Sequence, residues 1–236
     1  SYYLPLLLNG LYWFQANGPF SVPWFTPAFC GGLPMYPNPE SIYYSLPQFL
    51  TLFTDPLSAV LSTFVAFAFI GFIGTYVLVR RCYNTGMAVA LFGATVFLFN
   101  TAYPARMITG HMPWHSLALM PFIAYFLLRP APAEGKSIHA CVGAVTAGLL
   151  LSYMFQSGNV HGIIPMVLAV VAIGLIHALS GGRLIKFLIS LSLAIIVAAM
   201  TSASKLVSAL SFLASSPRAG YPLPGAEKLT GLVEAI

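Results

Sequence analysis

The chain alternates between long stretches without a charged residue and short polar or proline-rich breaks. Five uncharged runs stand out: Pro56–Val79, Tyr83–Ala105, Met107–Leu128, His139–Gly182 and Phe187–Ser204. Each is at or near the ~20 apolar residues that carry a helix across a bilayer, and the fourth is long enough for two passes. They divide into six predicted crossings, roughly 56–79, 84–104, 115–128, 138–156, 161–179 and 185–204. The third is short and extends back into Met112–Trp114.

Residues 1–55 read differently, in two parts. "YYLPLLLNGLYWFQANG" has apolar and aromatic residues at mixed helical spacing, too interrupted for a span. It suits an interfacial helix, with Tyr2, Tyr3, Tyr12 and Trp13 at headgroup level. "PFSVPWFTPAFCGGLPMYPNPES" then carries Pro19, Pro23, Pro27, Pro34, Pro37 and Pro39. That density of proline excludes a regular helix or a central strand. At membrane depth such backbone survives only when it is buried in protein or lines a wet cavity. A structural plug over the bundle and a pocket wall are both open readings of it.

Composition supports the membrane class. The chain is 58% hydrophobic and 6% charged, with a mean hydropathy of +0.86. A soluble domain carries about 25% charged residues, so this composition cannot cover a water-facing surface. The net charge of +5 is not a nucleic-acid footprint, because the basic residues are scattered, with no run longer than Arg80-Arg81. Cys30, Cys82 and Cys141 have neither metal nor redox spacing, and a disulfide framework is not expected.

Charge placement then orients the spans. Arg80, Arg81, Arg129, Lys136, Arg183 and Lys186 fall at one set of helix ends, in short turns, and Arg106, Lys205, Arg218 and Lys228 at the other. The positive-inside rule puts the first set in the cytoplasm. The 1–55 region, "TAYPARMITGHMPWH", "QSGNVHG" and "SSPRAGYPLPGAEK" then share the extracytoplasmic face, which implies one functional side. The predicted fold class is all-α: a polytopic transmembrane helix bundle with a long Pro/aromatic-rich extracytoplasmic loop. Its parts are the loop region 1–55, a six-helix bundle over 56–204, and an extracytoplasmic segment over 205–236. The chain opens at Ser1 without a Met or a signal peptide and ends inside the amphipathic "AEKLTGLVEAI", so it reads as part of a longer protein.

Trp24 and Pro27, Gly31-Gly32 with Pro34, Asn38-Pro39, Tyr43-Tyr44 and Pro47 precede a span, a double-Arg turn and a second span; Gly110-His111 and Gly158-Asn159 follow. This order resembles the YfhO-like branch of bacterial multi-spanning membrane proteins, within the GT-C superfamily of glycosyltransferases that use lipid-linked sugars. The resemblance covers most of the chain and is strongest in the first fifty residues. It implies a bacterial inner-membrane protein that transfers a sugar from a polyprenyl-linked donor on the extracytoplasmic face. In that superfamily an acidic residue early in the first large loop acts as catalytic base or metal ligand. The match places that acid upstream of Ser1. A divalent metal ion therefore stays open as a cofactor, and no ligand cluster in this chain is complete.

Such a transferase needs a base for the acceptor hydroxyl and cations for the departing phosphate. Glu40 is the candidate catalytic acid of the chain, and as "NPES" it reads equally as a helix-start residue. Asp55, followed by Pro56, reads as an N-cap. Arg106, His111, His161 and Arg218 are candidate substrate-binding residues, with Trp24 and Asn38 on the rigid wall. Interfacial polarity or a solvated loop charge is the competing reading for each of these cations. His111 and His115, at i and i+4, have the spacing of a metal pair but lack a third ligand, and Pro113 interrupts them. His139 and His177 fall on the plain side and read as structural.

The sequence thus supports an enzyme, or alternatively a non-catalytic membrane subunit of a larger complex. Partners are the lipid bilayer, the polyprenyl-linked donor and, in the second reading, other membrane subunits. A transporter fits less well, since no charge lies mid-span and the Gly/Pro breaks cluster in loops. The expectation most open to test is that Glu40, Arg106, His111 and His161 converge on one cavity beneath residues 19–40.

Overall fold

A computed structural model describes residues 3–129, 136–181 and 184–215. Almost all regular structure in them is helical, and a two-stranded ribbon supplies the only strands among the described residues. Four helical stretches are long and apolar enough to cross a membrane: Pro56–Cys82, Met87–Ile108, Val160–Leu179 and Leu184–Thr201. Three shorter apolar helices, Met112–Leu128, Ala140–Gln156 and Ala203–Ser215, accompany them. The chain is a membrane protein on this ground, and its side chains agree. Phe69, Phe92, Ile185 and Met200 stand outward and exposed, which water would penalise and a lipid tail would not.

Helix α1 (Tyr3–Asn17) buries Leu6, Leu7, Gly10 and Phe14. Residues 18–45 follow, with strands β1 (Phe25–Thr26) and β2 (Leu33–Pro34) paired antiparallel around the short turn α2 (Ala28–Gly31). Phe29, Cys30 and Gly31 in that turn, and Gly32 directly after it, have positive φ. Next come α3 (Leu46–Leu50) and α4 (Pro56–Cys82). The N-terminus of α4 is set by Asp55, whose carboxylate accepts from the Leu57 and Ser58 amides at 3.0 Å, and by Pro56 at the first helical position. Hydrogen bonding from the Ser58 side chain, and then from the Ser58 and Leu57 amides, holds the Asp55 carboxyl below its ordinary range.

Three of the predicted crossings depart from single straight helices. The 84–104 span is broken into α5 (Met87–Leu98) and α6 (Ala102–Ile108). Asn100 makes the break: its amide donates to the Phe97 carbonyl while its oxygen accepts from the Ala102 and Tyr103 amides. The side chain thus closes one helix and starts the next. The 115–128 span begins as a 3-10 helix over Met112–Leu119 and becomes α7 (Met120–Leu128). Pro113 and Pro121 stand near the start of each piece, where a missing N–H costs nothing. Leu184–Thr201 (α10) gives way at Ser202 to a separate helix α11 (Ala203–Ser215). Helices α8 (Lys136–Gln156) and α9 (Val160–Ser180) lie between.

The core is assembled from α4, α7, α8, α9 and α10. Phe67, Ile123, Leu127, Leu151, Met154, Val170, Phe187 and Ala194 form one buried cluster. Small residues let the helices close: a Cβ on Gly148 would lie 2.6 Å from the Ala194 carbonyl oxygen, so the two backbones touch. A smaller cluster, Phe14, Met35 and Tyr43, packs α1 against residues 18–45, and another, Leu6, Leu7, Ile42 and Met112 with Val60 against it, seats them on the bundle.

Candidate functional site

Glu40 stands on a turn that its own sequence builds. The Asn38 side-chain oxygen accepts from the Glu40 amide at 3.0 Å, and the Asn38 carbonyl accepts from the Ser41 amide at 3.0 Å. Asn38 therefore shapes the backbone that presents Glu40, with Pro37 and Pro39 limiting the alternatives.

His161 reaches the same place from the other side of the fold. Helix α8 ends at Gln156, and Gly158 turns the chain with φ +82°. Asn159 then caps α9: its side-chain oxygen accepts from the Gly162 amide at 3.1 Å, while its amide donates to Ser116 Oγ at 2.8 Å. Two residues past the cap, His161 Nε2 lies 2.8 Å from Glu40 Oε1. A carboxylate accepts, so Nε2–H donates. The pair is accessible, with His161 75% and Glu40 30% exposed at the side chain. Gly158 makes this meeting possible, because a Cβ there would lie 2.6 Å from the Glu40 carbonyl oxygen.

Below the pair lies a buried cation. Lys205, in the first turn of α11, is 1% exposed. Its Nζ donates to the Ser41 carbonyl at 2.7 Å and to the Gln156 carbonyl at 3.0 Å. Burial pushes its ammonium down to about 7, because the charged form loses its hydration there. The neighbouring Ser204 Oγ bonds the Tyr36 hydroxyl at 2.7 Å. Successive residues of α11 thus hold both ends of the 36–41 segment.

The outer face of α11 and the proline-rich segment enclose a groove of about 770 Å³. Trp24, Pro34 and Pro37 form one wall, and α11 supplies the other from Ala203 to Ser215. Ser204, Ser208, Ser211 and Ser215 fall at helical spacing along that second wall. Trp24 stands edge-on to Tyr36, ring centroids 5.3 Å apart, and Tyr36 in turn to Tyr44 at 5.6 Å. No charged side chain lines the groove among the described residues.

Of the four residues expected to converge, Glu40 and His161 meet directly. Arg106 lies 4.5 Å over the Trp114 ring, and His111 is an exposed residue that opens the 3-10 helix. Among the described residues, no hydrogen bond or ion pair joins either of them to Glu40 or His161. Trp24 and Asn38 take the places described above, and Arg218 lies outside the described residues.

His111 and His115 do not pair. At three residues per turn, positions i and i+4 point about 120° apart, and His115 turns inward to 1% exposure. Its Nδ1–H donates to the Met112 carbonyl at 2.6 Å, so its Nε2 accepts from the Tyr153 hydroxyl at 2.8 Å. The Leu46 amide donates to that hydroxyl at 3.1 Å, which ties residues 45–46 to α8. Among the described residues no three of His, Cys, Asp and Glu come close enough to share a metal ion.

Lys205 is the residue that sequence reasoning passed over, counting it only as a charge that orients a span. The signal was a lone lysine placed directly after the uncharged run Phe187–Ser204. Comparison with protein-family models, curated proteins and solved structures finds no match to this chain.

Proposed function

We propose that this is a GT-C-type membrane glycosyltransferase that moves a sugar from a polyprenyl-phosphate donor to an acceptor on the extracytoplasmic face of a bacterial inner membrane. The observation that carries the reading is the Glu40–His161 pair at 2.8 Å, set on the segment that also walls the groove. Glu40 accepts the proton of an acceptor hydroxyl, and His161 holds the carboxylate in place and screens its charge. The groove takes the isoprenoid chain along Trp24, Pro34 and Pro37. Arg106, His111 and Arg218 are the basic side chains that would meet the phosphate on this face. For a divalent ion the pair offers one carboxylate and one imidazole, an incomplete ligand set among the described residues. In this reading residues 1–55 form the long extracytoplasmic loop, and the bundle crosses the membrane six times.

The test uses the full-length protein in proteoliposomes, with a radiolabelled polyprenyl-phosphate sugar and an acceptor lipid. Glu40→Gln is expected to slow transfer by about 10²-fold, the lower end for a general base. Transfer at the parental rate in that variant refutes the assignment. A second reading, a non-catalytic membrane subunit, is favoured by the absence of a cation from the groove lining among the described residues. Stable co-isolation of other membrane subunits, with no transfer by the parent protein, would select it.

A further inference from the structure

Two segments far apart in sequence must meet for Glu40 to touch His161, and α11 links them underneath. Ser41 follows Glu40 directly, and Gln156 ends the helix whose turn leads to His161. One ammonium bridges their carbonyl oxygens, at 2.7 and 3.0 Å. The bridge is not a surface accident. Lys205 has lost nearly all its contact with water, and no carboxylate pairs with it among the described residues. A buried ammonium of this kind is costly to keep. Methionine or leucine would fill the same space without that cost. A role that only a long chain ending in several donors can fill offsets that cost, and spanning two carbonyls from different elements is such a role.

The geometry points to Lys205 as a positioning residue for the Glu40–His161 pair. From below, the ammonium pulls Ser41 and Gln156 toward one point; from above, carboxylate and imidazole close over the Gly158 turn. Neither contact has to hold the pair alone. With the ammonium gone, the two carbonyls no longer share a donor, and the 38–41 turn is free to lift from the α8–α9 turn. The catalytic meaning of this clamp rests on the function proposed above, but its mechanical part does not.

The test separates the two. In a background with Cys30, Cys82 and Cys141 replaced by serine, Glu40→Cys with His161→Cys forms a reporter pair. Val79→Cys with Gly93→Cys forms a control pair across the α4–α5 contact, where a Cβ on Gly93 would stand 3.6 Å from Val79 Cγ2. Both pairs are treated in native membranes with a short bis-methanethiosulfonate, with Lys205 intact, as Lys205→Met and as Lys205→Gln. The carboxamide nitrogen of glutamine sits one bond short of the lysine Nζ, so it cannot span both carbonyls.

Cross-linking of the reporter pair is expected to slow about ten-fold in both variants while the control pair is unchanged. Ten-fold is the low end of what losing a single hydrogen bond to an ammonium brings, and each variant breaks at least one of the two. Unchanged reporter cross-linking in either variant overturns the assignment. Loss of both pairs in both variants overturns it too, because Lys205 would then serve the whole fold. A clamp that passes this test in a protein without sugar transfer would leave the positioning role standing and remove the proposed reaction.

Discussion

Replacing Gly158 by alanine probes the contact on which the site depends. The added Cβ meets the structure in two ways. Its backbone has φ +82°, a conformation that costs an L-residue about 1–2 kcal/mol. The methyl would also stand 2.6 Å from the Glu40 oxygen, 2.9 Å from the Glu40 carbonyl carbon and 3.0 Å from the Ser41 oxygen. All three are backbone atoms, so no side chain can rotate away, and such overpacking costs about 1–3 kcal/mol. The sum is about 2–5 kcal/mol. Gly18 supplies the control, with φ +80° and nothing within 4 Å of the added methyl. Gly18→Ala should therefore cost only the conformational part, about 1–2 kcal/mol. Any unfolded-state gain from glycine to alanine is common to both variants and cancels in the comparison. Equilibrium unfolding in mixed micelles, with SDS as denaturant, reads the difference. If Gly158→Ala is no more destabilising than Gly18→Ala, the turn does not press on Glu40, and the geometry described here is wrong.

Three further outcomes are expected. The lowered ammonium of Lys205 means that the unfolded chain binds a proton the folded one releases, so stability should rise as pH goes from about 7 toward 10.5. Thermal unfolding in detergent should show that rise in the parent and lose it in Lys205→Met; the same slope in both would exclude Lys205 as its source. Asn159→Ala removes the cap of α9 and leaves Ser116 Oγ without its donor, a loss of about 2–3 kcal/mol by SDS unfolding. Asp55→Ala should lower the melting temperature where Asp55→Ser does not, since a serine oxygen can still accept from the amides at the start of α4.

What could be read in the sequence, and what could not, follows from the range of each interaction. Helix α4 starts at Pro56 as the Asp55-Pro56 pair implies, because a cap acts within one turn. Helix α9, Val160–Ser180, nearly coincides with the uncharged run 161–179, because lipid selects for apolar length alone. The break at Asn100 was missed because hydropathy averages over a single polar residue that rewires two helix ends. The 3-10 geometry of Met112–Leu119 is hidden for a related reason: Pro113 marks an interruption in the sequence but does not set the helical pitch that carries on to His115. Glu40 and His161 were grouped by shared topology, which names a membrane boundary and not a partner. Lys205 was the hardest of all, since its partners are two carbonyls contributed by residues 164 and 49 positions away, and backbone acceptors leave no mark in a sequence.

Glu40 and His161 are proposed to act as one unit on a polyprenyl-linked sugar. The direct measurement is a double-mutant cycle on the transfer rate in proteoliposomes, with Glu40→Gln, His161→Gln and the two combined. Residues that share one proton-transfer function lose it once, so each single variant should fall by about 10²-fold and the double variant little further. Losses that multiply in the double variant, or transfer at the parental rate in either single one, would contradict it.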